Sequence, residues 1–234
     1  ISTSSQSISE DSDSNITFTL ALEVAGGGTN TTTYEDVVVQ LGNSVSGYTA
    51  TASALDYELS SDSVTIPAGS STATFNFWPI DDVIYEGGNE VAYVSISNVS
   101  GGSSSFDNEW HSVTIIENET APIVKLGGSN LTITEDSDGV ATVTASILPI
   151  TAYQDIIVSL TIGENTLTNG ADYTSVNLSS ITIPAGSSTA SIIFDPIDDS
   201  IYEGTESMNI TFSSAQGAGA TIAGGSQNAG FNIT

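Results

Sequence analysis

Positive charge is almost missing from this chain. Of its 234 residues Lys125 is the sole Lys or Arg and His111 the sole histidine, against 28 Asp and Glu, which leaves a formal net charge of -27. Side-chain ion pairs are therefore nearly excluded as a source of stability. A surface of this sign repels phosphate backbones and anionic lipid heads, and it lacks the Arg/Lys stripe that nucleic-acid binding requires. Nucleic acid and membrane surfaces are not expected partners. Cysteine is absent, which removes disulfides, thiolate catalysis and thiolate metal sites together. No apolar run approaches the roughly 18 residues of a membrane span. The opening ISTSSQSISE has neither a basic nor an apolar stretch of the kind that leads secretion. With Ile rather than Met in first place, the chain is expected to be a processed form or a piece of a longer protein.

The same absences thin out catalysis. A Ser/His/Asp arrangement would have to use His111, which stands beside Trp110 next to an apparent strand with no nucleophile-elbow motif near it. Phosphoryl transfer lacks both a glycine-rich phosphate loop and the cations that stabilise transferred charge. Acid pairs for glycoside hydrolysis exist, but they are clustered as for a metal and written twice, which suits structure better than an active site. The expectation is a protein that is not an enzyme.

What is present is a normal apolar fraction, 38%, enough to build a core, and a repeat. Residues 66 to 87 read IPAGSSTATFNFWPIDDVIYEG and residues 183 to 204 read IPAGSSTASIIFDPIDDSIYEG. Smaller echoes keep the same order: Glu10-Asp11-Ser12-Asp13 with Glu135-Asp136-Ser137-Asp138, Tyr34-Glu35-Asp36 with Tyr153-Gln154-Asp155, and Asp56-Tyr57 with Asp172-Tyr173. Self-similarity over this span means two copies of one domain, expected at residues 1–120 and 121–234. The first copy carries extra residues around Gly26-Gly27-Gly28-Thr29-Asn30, a lengthened loop. The junction Glu117-Asn118-Glu119-Thr120-Ala121-Pro122 is short, acidic and ends in a proline that fixes φ, so a restricted angle between the two domains, and a rod-like pair, is expected.

Periodicity within each copy is that of strands. Ile16, Phe18, Leu20, Leu22 and Val24 alternate with Thr17, Thr19, Ala21 and Glu23, the two-residue period of a half-buried strand. Similar runs cover 36–41, 63–66, 72–78, 91–99 and 112–116, rich in Thr, Val and Ile and separated by Gly, Asn, Asp and Ser. About seven short strands per hundred-odd residues is the pattern of an antiparallel β-sandwich. The predicted fold class is all-β, two sandwiches in tandem.

The combination of "IPAG", "IDD" and "YEG" with a preceding "DY", present in both copies, closely resembles the Calx-beta motif of sodium/calcium exchangers, integrin β4 and repetitive bacterial surface proteins. The resemblance implies an immunoglobulin-like sandwich of seven strands in which acidic loops at one end hold calcium. Carried over residue by residue, it implies a site of Asp81, Asp82 and Glu86 in the first copy and Asp198, Asp199 and Glu203 in the second. An acid before an early strand matches Glu10 and Glu135, and the cluster closing the domain matches, more loosely, Glu117 and Glu119. A further loop acid is Glu164 in the second copy, where the first has Tyr48. The second copy reaches Thr234 before a closing cluster, so its site is expected to be incomplete.

Elementary coordination chemistry points the same way. Ca²⁺ takes six to eight oxygens at about 2.3–2.6 Å from a flexible framework. With no Cys and one His, oxygen-preferring Ca²⁺ or Mg²⁺ is favoured over zinc or copper. The stretch Asp11-x-Asp13-x-Asn15 starts like an EF-hand loop, but Ile16 stands at the required glycine and Leu22 at the bidentate glutamate, so it reads as a turn. Asn-x-Ser/Thr sequons at Asn15, Asn30, Asn98, Asn118, Asn130, Asn177, Asn209 and Asn232 offer glycosylation where the host performs it.

The resulting expectation is a calcium-binding structural or adhesive repeat segment of a secreted or cell-surface protein, with Ca²⁺ rigidifying the junction and neighbouring repeats, copies of itself, glycans or cell-surface ligands as partners. A filament subunit joined by strand addition is a second reading, resting on a strand missing before Ser2 and a last strand truncated at 230–234. A carbohydrate-binding module is a third, with Trp78 and Trp110 as its candidate aromatics.

Overall fold

A computed structural model describes the whole chain except residues 4, 25–27, 30, 108, 130, 137, 164, 165, 176, 177 and 226. Among the described residues it is built from strands, with one short 3-10 turn and no α-helix. None of it is a helix long and apolar enough to cross a membrane. The chain forms two compact units, one of residues 1–82 and 88–118, the other of residues 83–87 and 119–234.

In the first unit the strands Ser2–Thr3, Ile16–Ala21, Thr72–Pro79 and Tyr57–Leu59 form one sheet. Ser7–Ser9, Trp110–Ile116, Glu90–Ser100, Val37–Gly42 and Ser63–Ile66 form the other. Strand alternation places Ile16, Phe18 and Leu20 inside, against Phe75 and Phe77 of the next strand and Val37, Val39, Ala92, Val94, Val113 and Ile115 of the facing sheet. Phe18 and Phe75 stack with ring centroids 5.0 Å apart. Each such fully buried side chain stabilises the sandwich by about 1.5–3 kcal/mol.

The second unit repeats the plan. Tyr173–Thr174, Thr189–Pro196, Ala141–Ser146, Ile123–Ser129 and Thr221–Ile222 form one sheet, and Thr132–Ile133, Gln227–Ile233, Glu206–Gln216, Ile156–Gly163 and Ser180–Ile183 the other. Phe194, Phe212 and Phe231 fill its centre with Ile156, Ile183 and Val143. Residues 83–87 join this unit through Ile84–Tyr85, which pairs in parallel with Thr151–Ala152.

The repeated phrase has a local physical reason. In "IPAG" the N–H of Ser70 donates to the carbonyl of Pro67, and that of Ser187 to Pro184, both at 2.9 Å. Gly69 and Gly186 occupy the turn position with φ of +80 and +73, which only glycine adopts without strain. Asp36 and Asp155 seal the same turns by accepting the N–H of Ala68 and of Ala185 at 2.8 Å.

Two expectations are corrected. The alternating strand from Ile16 stops at Ala21 rather than running to Val24: the N–H of Leu22 closes its ladder on the Ser71 carbonyl at 2.9 Å, in the same register, and the chain then changes partner. Glu23–Val24 then pairs with Gly28–Thr29 as a separate small hairpin, with Val24 51% exposed. The last strand starts at Gln227, three residues before the expected 230. Gln227–Ile233 has seven residues, as Trp110–Ile116 has, and is paired on both sides, to Glu206–Gln216 and to Thr132–Ile133.

Candidate metal centre

The "DY" and "IDD" elements belong together because the chain closes them on each other. The carbonyl of Asp56 accepts the N–H of Ile80 at 2.9 Å, and that of Asp172 accepts the N–H of Ile197 at 3.0 Å. Tyr57 pairs with Pro79 and Tyr173 with Pro196. Each aspartate is held on its own loop as well. Asp56 accepts from the N–H of Ser53 and from its hydroxyl, and Asp172 from the N–H of Thr168. Both are buried, at 6% and 7% exposure, in a chain whose acids are otherwise mostly on the surface. A buried carboxylate is costly unless its lone pairs are met, and backbone N–H donors meet only part of that demand.

In the second unit Asp172, Glu203 and Glu206 each bring a carboxylate oxygen within 4.8 Å of the others. Glu135 Oε1 accepts the N–H of Asp199 at 3.3 Å, while Asp199 Oδ1 accepts the N–H of Ile201 at 2.6 Å. Glu203 and Glu206 titrate above their ordinary value of 4.5. Loss of hydration is the largest cause for both, followed by repulsion from Asp172. Asp199 and Glu135 add to the repulsion on Glu203, and Glu203 and Glu135 to that on Glu206. Both also share a hydrogen bond with Asp172, which requires a proton between two carboxyls. The donor set is all oxygen and strongly anionic, and it fits a hard divalent cation.

The raised values set a sign for the metal-free protein. A carboxyl whose folded value lies above its unfolded one favours the folded state when protonated, so its contribution is fully present below the unfolded value and lost as pH rises through the folded one. In chelator, melting temperature is expected to rise on mild acidification from pH 7 toward about 4.5. A flat or falling trend in that window would show that the three acids do not repel.

In the first unit Glu10 is 3% exposed, and its N–H donates to the Ile116 carbonyl at 3.0 Å, which carries it beside Glu117. Their carboxylate oxygens lie within 4.8 Å, as do those of Asp56 and Glu90. Asp81 Oδ1 accepts from Asn118 Nδ2 at 3.0 Å, tying the closing segment to the loop of paired aspartates, and the N–H of Glu117 donates to Asn89 Oδ1 at 3.2 Å, tying it to the start of the Glu90–Ser100 strand. Asp82 is half-buried and Asp198 exposed. Glu86 and Glu119 fall in the residues that belong to the second unit. Glu164 lies outside the described residues, as do the sequon asparagines Asn30, Asn130 and Asn177.

Four acids in these groups were not among the residues singled out from sequence: Asp56, Glu90, Asp172 and Glu206. The repeated "DY" marked the aspartates, as a fingerprint rather than as ligands. Glu90 and Glu206 each open an eleven-residue strand, and their place in the two copies is the signal that could have found them. His111 has a packing role: its ring meets Phe18 edge-on at 6.3 Å, and Nε2 lies 3.0 Å from the Ile1 carbonyl oxygen.

The family model of the Calx-beta domain matches the chain twice, over residues 11–119 and 117–234. Among solved structures the chain is similar to CBD12 from CALX1.2, at 15% identity over 97% of this chain and 95% of that one, with a TM-score of 0.38. It is similar to the calcium binding domain CBD12 of CALX1.1, at 14% identity over 97% and 95% with a TM-score of 0.36. The D0-D1 domain of intimin is similar at 15% identity over 99% of this chain and 96% of that one, with a TM-score of 0.31. No curated protein matches the chain.

Proposed function

Because the chain belongs to the Calx-beta family, we propose that it is a calcium-binding, non-catalytic structural or adhesive repeat segment of a secreted or cell-surface protein, with repeats over 1–120 and 121–234. The observation that supports this reading is the convergence of Asp172, Glu203 and Glu206 in the second unit, with Glu135 and Asp199 beside them. Convergent acids that repel each other in the folded chain gain most from a shared divalent ion. In the first unit Asp56 and Glu90 correspond in sequence to Asp172 and Glu206, and Glu10 with Glu117 supplies a further pair. The partners consistent with such a segment are neighbouring repeats, copies of the same chain and surface ligands.

Equilibrium dialysis of the metal-stripped chain against ⁴⁵Ca²⁺ tests the proposal. Saturable binding that competes poorly with Mg²⁺ is expected, since Mg²⁺ gives up its water reluctantly. The number of ions bound should fall when Glu203→Gln and Glu206→Gln are combined. Absence of binding at millimolar Ca²⁺ would leave the acids as a solvated loop surface.

A further inference from the structure

The first unit carries an outward aromatic cluster that the sandwich does not need. On the Glu90–Ser100 strand Ala92 and Val94 are fully buried, so alternation turns Tyr93 outward. Trp110 faces Ser95 across the ladder, two residues along from Tyr93 on the same sheet. Tyr48, on the loop that follows Gly42, is 54% exposed and completes a triangle. Its ring centroid lies 4.7 Å from Trp110 and 5.7 Å from Tyr93, which are themselves 5.6 Å apart.

The second unit serves as an internal control. Both copies have an eleven-residue strand opening on glutamate, Glu90 or Glu206, and the register of each slips at a corresponding serine, Ser97 or Ser213. That register equates Tyr93 with Asn209 and Trp110 with Asn228. The same framework closes with asparagine at both places, so packing of the fold does not explain the rings. Tyr48 is exposed and Tyr93 and Trp110 are half-buried on the outer face, and solvent-facing aromatics without a packing reason mark recognition surfaces.

Beside Trp110 the surface dips into a cleft of about 340 Å³, lined among others by Phe106, Glu109, Ser44, Ser46, Ser95 and Ser97. Ser95 Oγ donates to the Ser44 carbonyl at 3.1 Å, and Ser97 Oγ to those of Gln40 and Leu41 at 3.2 and 3.1 Å. With their protons so engaged, these oxygens keep their capacity to accept. The cleft therefore combines aromatic faces with a row of acceptors and a carboxylate, and no basic side chain lines it.

We propose that this face binds a neutral saccharide. A pyranose ring has an apolar C–H face that complements the negative face of an aromatic ring, and a rim of hydroxyls that donate to carboxylate and serine oxygens. Trp110, with Phe106, supplies the aromatic surface, Tyr48 and Tyr93 pack against the Trp110 ring from outside the cleft, and Glu109 with the serines supplies the acceptors. The volume is at the small end of ligand sites, which span about 300–1,000 Å³, and suits one or two sugar rings. Charge selects the class: a chain of net charge -27 with one Lys or Arg repels carboxylated and sulfated sugars. The inference is independent of calcium binding, because none of the acids of the metal centre lines the cleft.

Titration calorimetry of the full chain with maltohexaose, cellohexaose and mannohexaose, and with heparin as the anionic arm, tests it. At least one neutral hexasaccharide is expected to bind, and heparin is not. Trp110→Asn, which carries the second unit's own residue, and Tyr48→Ser on the exposed loop should each weaken binding by about tenfold or more. Asp172→Asn should leave saccharide binding unchanged whatever it does to calcium. Trp78→Phe, on the other sheet, leaves Trp110 as the sole indole, whose emission should shift on saturation. The proposal is overturned by no binding of any neutral hexasaccharide at about 10 mM, by equal binding of heparin, or by saccharide binding that neither variant weakens. Self-association of the chain that Trp110→Asn abolishes, without saccharide binding, would make the cluster a protein contact and overturn it as well.

Discussion

Adding Ca²⁺ to metal-stripped protein is expected to raise the melting temperature of the second unit by about 10 °C at a free concentration a hundred times the dissociation constant. An ion bound only by the folded state stabilises it by mass action, about 2.7 kcal/mol at that ratio. A domain of roughly this size moves by about 4 °C per kcal/mol. The effect should be large because the ion does two things here. It would coordinate Asp172, Glu203 and Glu206, and it would offset both the lost hydration and the repulsion that hold the carboxyls of Glu203 and Glu206 above their ordinary range. Matched NaCl controls separate this from simple screening, which acts over a Debye length of about 10 Å at 0.1 M salt. Identical melting curves with Ca²⁺ and with chelator would remove calcium from the account of this protein.

Asp172→Asn should act with opposite signs in the two states. Asp172 is the charge common to both raised glutamates and the partner of their hydrogen bonds. It is also buried, and its carboxylate accepts the N–H of Thr168, which an asparagine oxygen can still do. Under chelator the variant should therefore melt above the parent chain, because a buried repulsive charge is gone while the loop bond survives. With Ca²⁺ the order should invert. Changes in residues that merely orient a metal ligand cost 10–100-fold in affinity, so loss of a charged ligand should cost at least about 100-fold. Melting curves of both proteins, with Ca²⁺ and with chelator, decide the matter. A variant that melts below the parent under both conditions would assign Asp172 to the fold alone.

The two-residue period of Ile16, Phe18 and Leu20 was legible because it is a local consequence of strand geometry, and these side chains are at most 2% exposed. The tandem plan was legible for a different reason: turns such as Pro67-Ala68-Gly69-Ser70 need particular residues, so the same words recur. The strand end was not. Leu22 and Val24 keep the alternation while Glu23–Val24 changes partner to Gly28–Thr29, and a change of strand partner leaves no mark on a local pattern. The metal centre divides along the same line. Glu203 was found because it stands inside the repeated phrase. Asp172 and Glu206 stand outside it and reach the cluster only when sheet pairing closes the Asp172 loop onto Ile197. The aromatic triangle is a case of its own, since alternation says that Tyr93 and Trp110 face outward but not that Tyr48 folds over them.

Lys125 sits within the strand Ile123–Ser129, opposite Ser146. It is the only Lys or Arg in the chain, so trypsin has a single bond to cut, and that bond lies in a hydrogen-bonded ladder. A protease needs an extended, unpaired stretch, and it obtains one here only when this strand of the second unit opens. Cleavage into residues 1–125 and 126–234 is therefore a one-site clock. When opening and closing are fast relative to cutting, its rate reads the population of the open form. The scarcity of cations that denies the protein its salt bridges thus gives it a built-in reporter of local unfolding.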